Sequence, residues 1–475
     1  MEKLKLLNDR IVSRVNASFR EREFDFNTGK FVTNAIEYDK LVKFYCIYGI
    51  TSNYPVDFKF KHSSMAGSYF LGKCSVNQSI IYKSDIRGDE LKRKEKNIAP
   101  SNSLPLIKDE TILIKSSLLY KTLVHNNSHN PMTPEEFTIK NTVSAHYANI
   151  HGTTTEGCFL GPFSTVDQMN LHSCIVGEFS YIQAGDLFHR RIDPGVVHIE
   201  TDDFRFLFKY EKKVIDTYIG VNEFCQPRGT IYQFVHKKEP EYERLFEVID
   251  LKPKPMNIPQ SSALNRYAVI KGGTKIGENV FISQRAYIEN TYMGDGSNAQ
   301  ENTYIINSRL MGLNITAHGG KIINAEIGQK TFVGFNCFLS GKKDGKLIIG
   351  KGCIIMPHTI IDTETFLEIP ENHVVWGYIT GEKDIETNTM PIDNFIKSKG
   401  KFNIGKMEFS GSGKIFINSF KDRIEHILEA NGAYCDHDKI LRGHAQEGRQ
   451  ISFNTLQPYR SGKHEGLYPF IRIRP

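Results

Sequence analysis

At 475 residues and 54.2 kDa the chain exceeds one ordinary compact domain, so two or more units, or one elongated solenoid with additions, are expected. Sixty Lys plus Arg against 54 Asp plus Glu leave a formal charge of +6, spread along the chain instead of gathered into a basic tract, so nucleic acid is not an indicated partner. The charged start MEKLKLLNDRIVSRVNASF has no apolar core and no later stretch approaches the roughly 18 apolar residues of a membrane span, so the sequence reads as cytoplasmic with no membrane role.

Residues 1–60 read as a mixed N-terminal segment, helix-like over Glu37-Tyr38-Asp39-Lys40-Leu41-Val42-Lys43-Phe44-Tyr45. From 61 to 190 apolar residues recur every six positions in short runs: Cys74, Ile80, Ile86; Ile112, Leu118, Val124; Leu160, Val166; Val176, Ile182. Residues 191–263 lose that period, contain the acidic-aromatic run Asp202-Asp203-Phe204-Arg205-Phe206-Leu207, and end in Lys252-Pro253-Lys254-Pro255, as an insertion or connecting subdomain would.

The period is plainest over 264–380, at Ile270, Ile276, Ile282, Ile288, then Met293, Ala299, Ile305, Met311, Ala317, Ile323, then Ile327, Val333, Leu339 and Ile349, Ile355, Ile361, Leu367. A half-buried strand alternates every two residues and a helix repeats near 3.6, so a sustained step of six calls for short strands joined by turns. Each unit supplies one strand with a central aliphatic pointing inward and a turn that Gly, Asn or Asp makes accessible through positive φ. Three such units per turn predict parallel coils of about 18 residues over 264–376. Residues 381–475 read as a C-terminal helical cap, with Ser419 as helix cap before apolar positions at helical spacing through Leu428. The eight cysteines lie far apart with no CxxC pair, so they read as reduced and mostly buried and offer no zinc-thiolate site.

The units Ile276-Gly277-Glu278-Asn279, Ile327-Gly328-Gln329-Lys330 and Ile349-Gly350-Lys351-Gly352 resemble the isoleucine-patch repeats of the hexapeptide-repeat transferase superfamily. That resemblance implies a mainly β fold, a left-handed parallel β-helix in two segments with flanking α-helical and mixed elements.

The most specific local signal is Ala145-His146-Tyr147-Ala148-Asn149-Ile150-His151-Gly152. Two histidines five apart fall on adjacent faces of a coil, so a metal held by both within one coil would be strained, and a shared metal implies a homotrimer or a contact between the two coiled segments. The segment is similar to the AHxxxxHG motif of the γ-class carbonic anhydrases, as are Asp85-Ile86-Arg87-Gly88-Asp89-Glu90 to their RGDE segment and Leu123-Val124-His125 to the strand of their first zinc histidine. By that resemblance His125, His146 and His151 are the ligands of zinc, or of Fe or Co in the same place, with one position open to water. The same resemblance implies that Arg87 and Asp89 hold a homotrimer interface and that Glu90 moves protons. The family's Gln and Asp positions are occupied by Leu119 and Tyr120, which puts ordinary CO2 hydration in question.

In the second coil Ser297-Asn298-Ala299-Gln300-Glu301-Asn302 resembles the segment missing from the first, and Asn314 to Gly320 resembles the middle-histidine strand. This marks Gln300 and His318 as candidate catalytic residues, although Ile306 and Ile323 stand where the other histidines would. Internal duplication with divided labour is one reading; turn-forming Asn and Gln between coils is the other.

Three functions follow: a carbonic-anhydrase-like metalloprotein hydrating CO2 or hydrolysing a small ester or thioester, a coenzyme-A-dependent acyltransferase acting on a sugar or amine, and a non-catalytic scaffold. For the acyltransferase, which would bind acyl-CoA, His172, His189, His358 and His373 are further candidate bases. Gly411-Ser412-Gly413-Lys414 lacks the remaining residues of a phosphate-binding loop.

Overall fold

The computed structural model describes all residues except 1, 34, 44, 51–56, 89–110, 127–134, 248–255, 344, 437–441, 457–466, 468 and 475. Asp89, Glu90 and the Lys252-Pro253-Lys254-Pro255 run therefore lie outside the described residues. The chain divides into two compact units: residues 1–195, 212–233 and 451–475 form one, and residues 196–211 and 234–450 the other. No helix among the described residues is long and apolar enough to cross a membrane.

Both units are parallel β-helices. In the first, Leu118, Val143, Phe159, Ile175 and Arg191 align on one face. From Val143 onward they follow one another at the spacing that separates His151 from Asp167, a step of 16. Helix Glu2–Arg20 lays Leu4, Leu7, Ile11, Val15 and Phe19 against the cluster containing Ile80, Leu118, Val143, Phe159 and Ile175, a stripe at i, i+3/i+4 spacing covering that face. The opening strands are closed from outside: Cys46–Ile50 pairs antiparallel with Ser452–Leu456, and Asp57–Lys61 with Ile471–Ile473.

In the second unit Phe281, Asn298, Ile315 and Phe332 stack in parallel register. Their step is 17, the same as from Asn290 to Asn307. The first coil of this unit keeps the expected 18, from Ala263 to Phe281 and from Val269 to Tyr287, and the next coils lose one because one of the three steps is five: Ile288 to Met293, Ile305 to Leu310, Ile322 to Ile327. The core is Ile282, Ile288, Met293, Ala299, Ile305, Leu310, Ile322, Ile327, Val333 and Leu339. Met311, expected inside, is 43% exposed while Leu310 is buried. Ala317 falls in the turn between strands and Ile323 is half-buried on the outer side, with Thr316 and Ile322 aligned with the core columns. Longer turns lengthen the later coils, the first of them passing through 341–346: Ala325 pairs with Leu347 and Phe332 with Ile354, and beyond them Ile354 pairs with Val374.

Positive φ sits two residues after the first glycine of each unit. It falls on Asn279, Lys330 and Gly352, whereas at Gly328 a Cβ would lie 2.4 Å from the Lys351 nitrogen of the next coil. That glycine is needed for the close approach of backbones. On the opposite turn the amides of Asn290, Asn307 and Asn324 bond in a column, each Nδ2 3.2 Å from the next Oδ1, ending on the Gly341 carbonyl.

Two helices cover the second coil. Phe234 of helix Thr230–Glu247 meets the rings of Tyr304 and Phe338, and Phe420 of helix Gly413–Ala430 meets Phe332. The C-terminal helix starts earlier than Ser419. Ser412 is its cap, accepting from the Ile415 N–H at 3.3 Å, and Ser419 lies mid-helix with its hydroxyl donated to the Phe416 carbonyl. The glycine-serine run that superficially matched a phosphate loop is therefore a helix start. Ser412→Ala is expected to lower stability by about 0.5–2 kcal/mol, read from the denaturant midpoint at unchanged slope.

Candidate functional site

One edge of the first coil collects polar side chains because parallel in-register pairing stacks residues near the ends of successive strands. Arg87 pairs with His125, His125 with His151, and His151 with Asp167. The rings of His125 and His151 stack at 5.1 Å with 12° between planes. His151 Nδ1 lies 2.7 Å from Asp167 Oδ1 in hydrogen-bond geometry, and the Tyr181 hydroxyl donates to Asp167 Oδ2 at 2.5 Å. Tyr181 also lies 3.0 Å from Gln183 Oε1. The His151 side chain is 8% exposed and Asp167 fully enclosed. A buried carboxylate accepting from Nδ1–H fixes the tautomer that leaves Nε2 basic, which is the arrangement of an oriented general base.

His146 does not join this set. The five-residue spacing puts it in the corner turn before the strand that carries His151, where it is buried against the rings of Tyr120 (4.4 Å) and Tyr232 (6.0 Å). The expected three-histidine ligand set is thus not assembled within one chain: His125 and His151 come together and His146 sits among tyrosines. Among the described residues no group of three or more His, Cys, Asp or Glu is placed to hold a metal ion. All eight cysteines are free, six of them buried. Burial pushes the Cys74 and Cys158 thiols well up, which keeps them protonated and inert.

The second unit carries a related arrangement at the corner turn equivalent to that of His146. His318 Nδ1 lies 2.6 Å from Glu301 Oε2, and the Ser283 hydroxyl donates to the other oxygen of Glu301 and lies 2.8 Å from Gln284 Oε1. Serine here meets the carboxylate and not the imidazole, so it orients Glu301 and is not activated as a nucleophile. Gln300, the residue singled out in sequence, is half-buried beside this contact, and its neighbour Glu301 is the one that reaches His318. Asn302 and Asn314 serve turns: Asn302 adopts φ 58°, and Asn314 accepts from the Gly312 N–H and donates to the Gly328 carbonyl. Ile306 and Ile323 pair with each other on the strand ends that correspond to His125 and His151.

The other histidines are engaged differently. His172 stacks on Phe188 at 5.0 Å, His189 occupies a turn at φ 53°, the His358 carbonyl accepts from the Tyr210 hydroxyl, and His373 Nδ1 lies 2.8 Å from the Glu371 carbonyl. Asp167, Tyr181, Glu301 and Ser283 escaped sequence reading. The available signal was the coil length, since His151 and Asp167 stand one coil of the first unit apart, and Glu301 and His318 one coil of the second.

Short parallel strands stacked in register around a core of inward aliphatics, with a repeated step of 16 from Val143 in the first unit and of 17 from Phe281 in the second, are the architecture of a hexapeptide-repeat β-helix. Residues 102–223 match the family described as hexapeptide repeat including loop, a stretch that contains His151, Asp167 and Tyr181. The whole chain is similar to a solved structure from Desulfovibrio desulfuricans G20 described as a "putative acetyltransferase", at 47% identity and a TM-score of 0.89, covering 100% of this chain and 99% of that one. The chain belongs to the hexapeptide-repeat transferase superfamily. None of the curated proteins matches it.

Proposed function

We propose that the chain is an acyltransferase that moves an acyl group from a coenzyme A thioester to the hydroxyl or amine of a small acceptor, with His151 as general base. The observation that carries the reading is the hydrogen-bonded His151–Asp167–Tyr181 chain inside the family-matched stretch; the acetyltransferase description of the similar structure supports the reaction class. His151 Nε2 takes the acceptor's proton as the acceptor oxygen or nitrogen attacks the thioester carbonyl. The C–S bond then breaks, and the imidazolium returns the proton to the leaving thiolate. Asp167 stabilises the imidazolium, and Tyr181 keeps the carboxylate aimed at Nδ1. With only 8% of the side chain exposed, the acceptor must approach over one edge of the ring.

A second reading places the base at His318, favoured by the enclosed Glu301 carboxylate, one oxygen of which lies 2.6 Å from His318 Nδ1 while the other accepts from the Ser283 hydroxyl. The assembly proposed with either reading is a homotrimer, which light scattering tests directly. The activity is tested by incubating the full chain with acetyl-CoA and a panel of sugars and amines while following free thiol. Acceptor-dependent thiol release is expected, and its absence across acceptors that the protein demonstrably binds would overturn the acyltransferase reading.

A further inference from the structure

Outside the histidine ladder, the first unit has a surface depression of about 690 Å3 lined by Lys212, Lys213, Asp216, Thr217, Arg228 and Gln233, with Gly229 among them. Its two sides are tied together. The Arg228 N–H donates to the Gly220 carbonyl at 2.8 Å, and the Thr230 hydroxyl to the Thr217 carbonyl at 3.4 Å. Gly229 holds φ +104°, and a Cβ there would lie 2.6 Å from the Tyr218 carbonyl carbon, so the turn carrying Arg228 is pressed against helix Lys212–Ile219 in a way only glycine permits. Three cations face one carboxylate in this depression, and among the described residues none of the three forms an ion pair. The start of helix Thr230–Glu247 lies beside them and adds the partial positive charge of its unbonded N–H groups.

An excess of unpaired cations around a concave surface, including one guanidinium able to bind two oxygens at once, matches a multiply charged oxyanion better than a single carboxylate. We propose that this depression binds a phosphate-bearing small molecule, held by Arg228, Lys212 and Lys213, with the Gln233 amide as a further hydrogen-bonding group. The site stands apart from the acyltransferase reading, since nothing in it depends on His151 or His318. The phosphate has two sources, a free diphosphate or the phosphates of coenzyme A.

Calorimetric titration of the full chain at low ionic strength with pyrophosphate, coenzyme A, dephospho-coenzyme A and adenosine tests this. Saturable binding of the phosphorylated ligands is expected, weakened by added salt, with no binding of adenosine. Arg228→Ala and Lys213→Gln should each weaken it by about tenfold or more, with the thermal midpoint unchanged because both side chains are exposed. His151→Ala should bind as the wild type does, which separates failure of this site from failure of the catalytic reading. Tighter binding of coenzyme A than of its dephospho form assigns the ligand to that carrier; pyrophosphate binding as tightly as coenzyme A assigns it to a simple diphosphate. No saturable binding of pyrophosphate, or pyrophosphate binding that survives both substitutions, overturns the proposal.

Discussion

Replacing His151 with alanine is expected to lower acyl transfer by about 100- to 10,000-fold, the usual contribution of a positioned general base. The loss should appear in kcat, because the imidazole acts on the proton that moves in the transition state. Asp167→Asn should have a similar direction with the histidine still present. The amide offers an N–H donor at one of the positions where Nδ1–H and the Tyr181 hydroxyl both need acceptors, so the tautomer with a basic Nε2 is no longer held. Tyr181→Phe should leave kcat within a few-fold while lowering stability by about 1.5–3 kcal/mol, the range for a hydrogen bond to a buried charge. Thermal midpoints of all three variants identify any that fail to fold. His318→Ala is the control: full activity there and loss in His151→Ala supports the first-unit base, whereas the reverse pattern moves the chemistry to Glu301 and His318.

Lys321→Met is expected to stabilise the second unit at neutral and mildly acidic pH. Lys321 is fully buried on the outer side of its strand, paired in register with Tyr304 and Phe338, the two residues that Phe234 covers. Its Nζ donates to Asn336 Oδ1 at 3.3 Å. Burial pushes its ammonium down from 10.5 to about 7, and the nearby Cys337 thiol, itself pushed up to about 12, offers no compensating charge at neutral pH. The unfolded chain therefore holds a proton that the folded chain has released between pH 7 and 10.5. Stability of the native protein rises with pH across that window, by roughly 1.4 kcal/mol per unit. Methionine fills similar volume without titrating, so the variant should be most favoured below pH 7, and the two denaturation midpoints should converge toward pH 10. Parallel pH profiles would show that Lys321 keeps its proton in the folded state.

The coil was legible because a narrow core admits one inward aliphatic per face, which prints a period on the sequence whatever the surface does. The register was less legible. Leu310 and Met311 are both apolar, and only the five-residue step decides which faces inward; the exposed methionine carried the pattern one residue out of phase until Ile327. The edge pairs were hidden for a related reason. His151 is remote from Asp167 in sequence, and the two meet only when the length of a coil is known, while a search for ligand spacing drew attention to His146, which the corner turn directs into a tyrosine cage. Ser412 was visible as a residue, but its role as cap depends on the strand Met407–Ser412 ending there, which tertiary pairing with Phe204–Lys209 decides.

The closure of the first coil by Ser452–Leu456 has a consequence for how the protein is made. Its partner strand ends at Ile50, about 400 residues earlier, so at roughly 5–20 residues per second the ribosome needs on the order of 20 to 80 s to deliver the covering strand. Throughout that interval the edge of Cys46–Ile50 presents unpaired N–H and C=O groups to neighbouring nascent chains on the same message, the geometry by which strands template one another. The burden on chaperones is therefore set by translation speed more than by final stability. Chains released before Ser452 should accumulate in the insoluble fraction even though every coil of the β-helix has been synthesised.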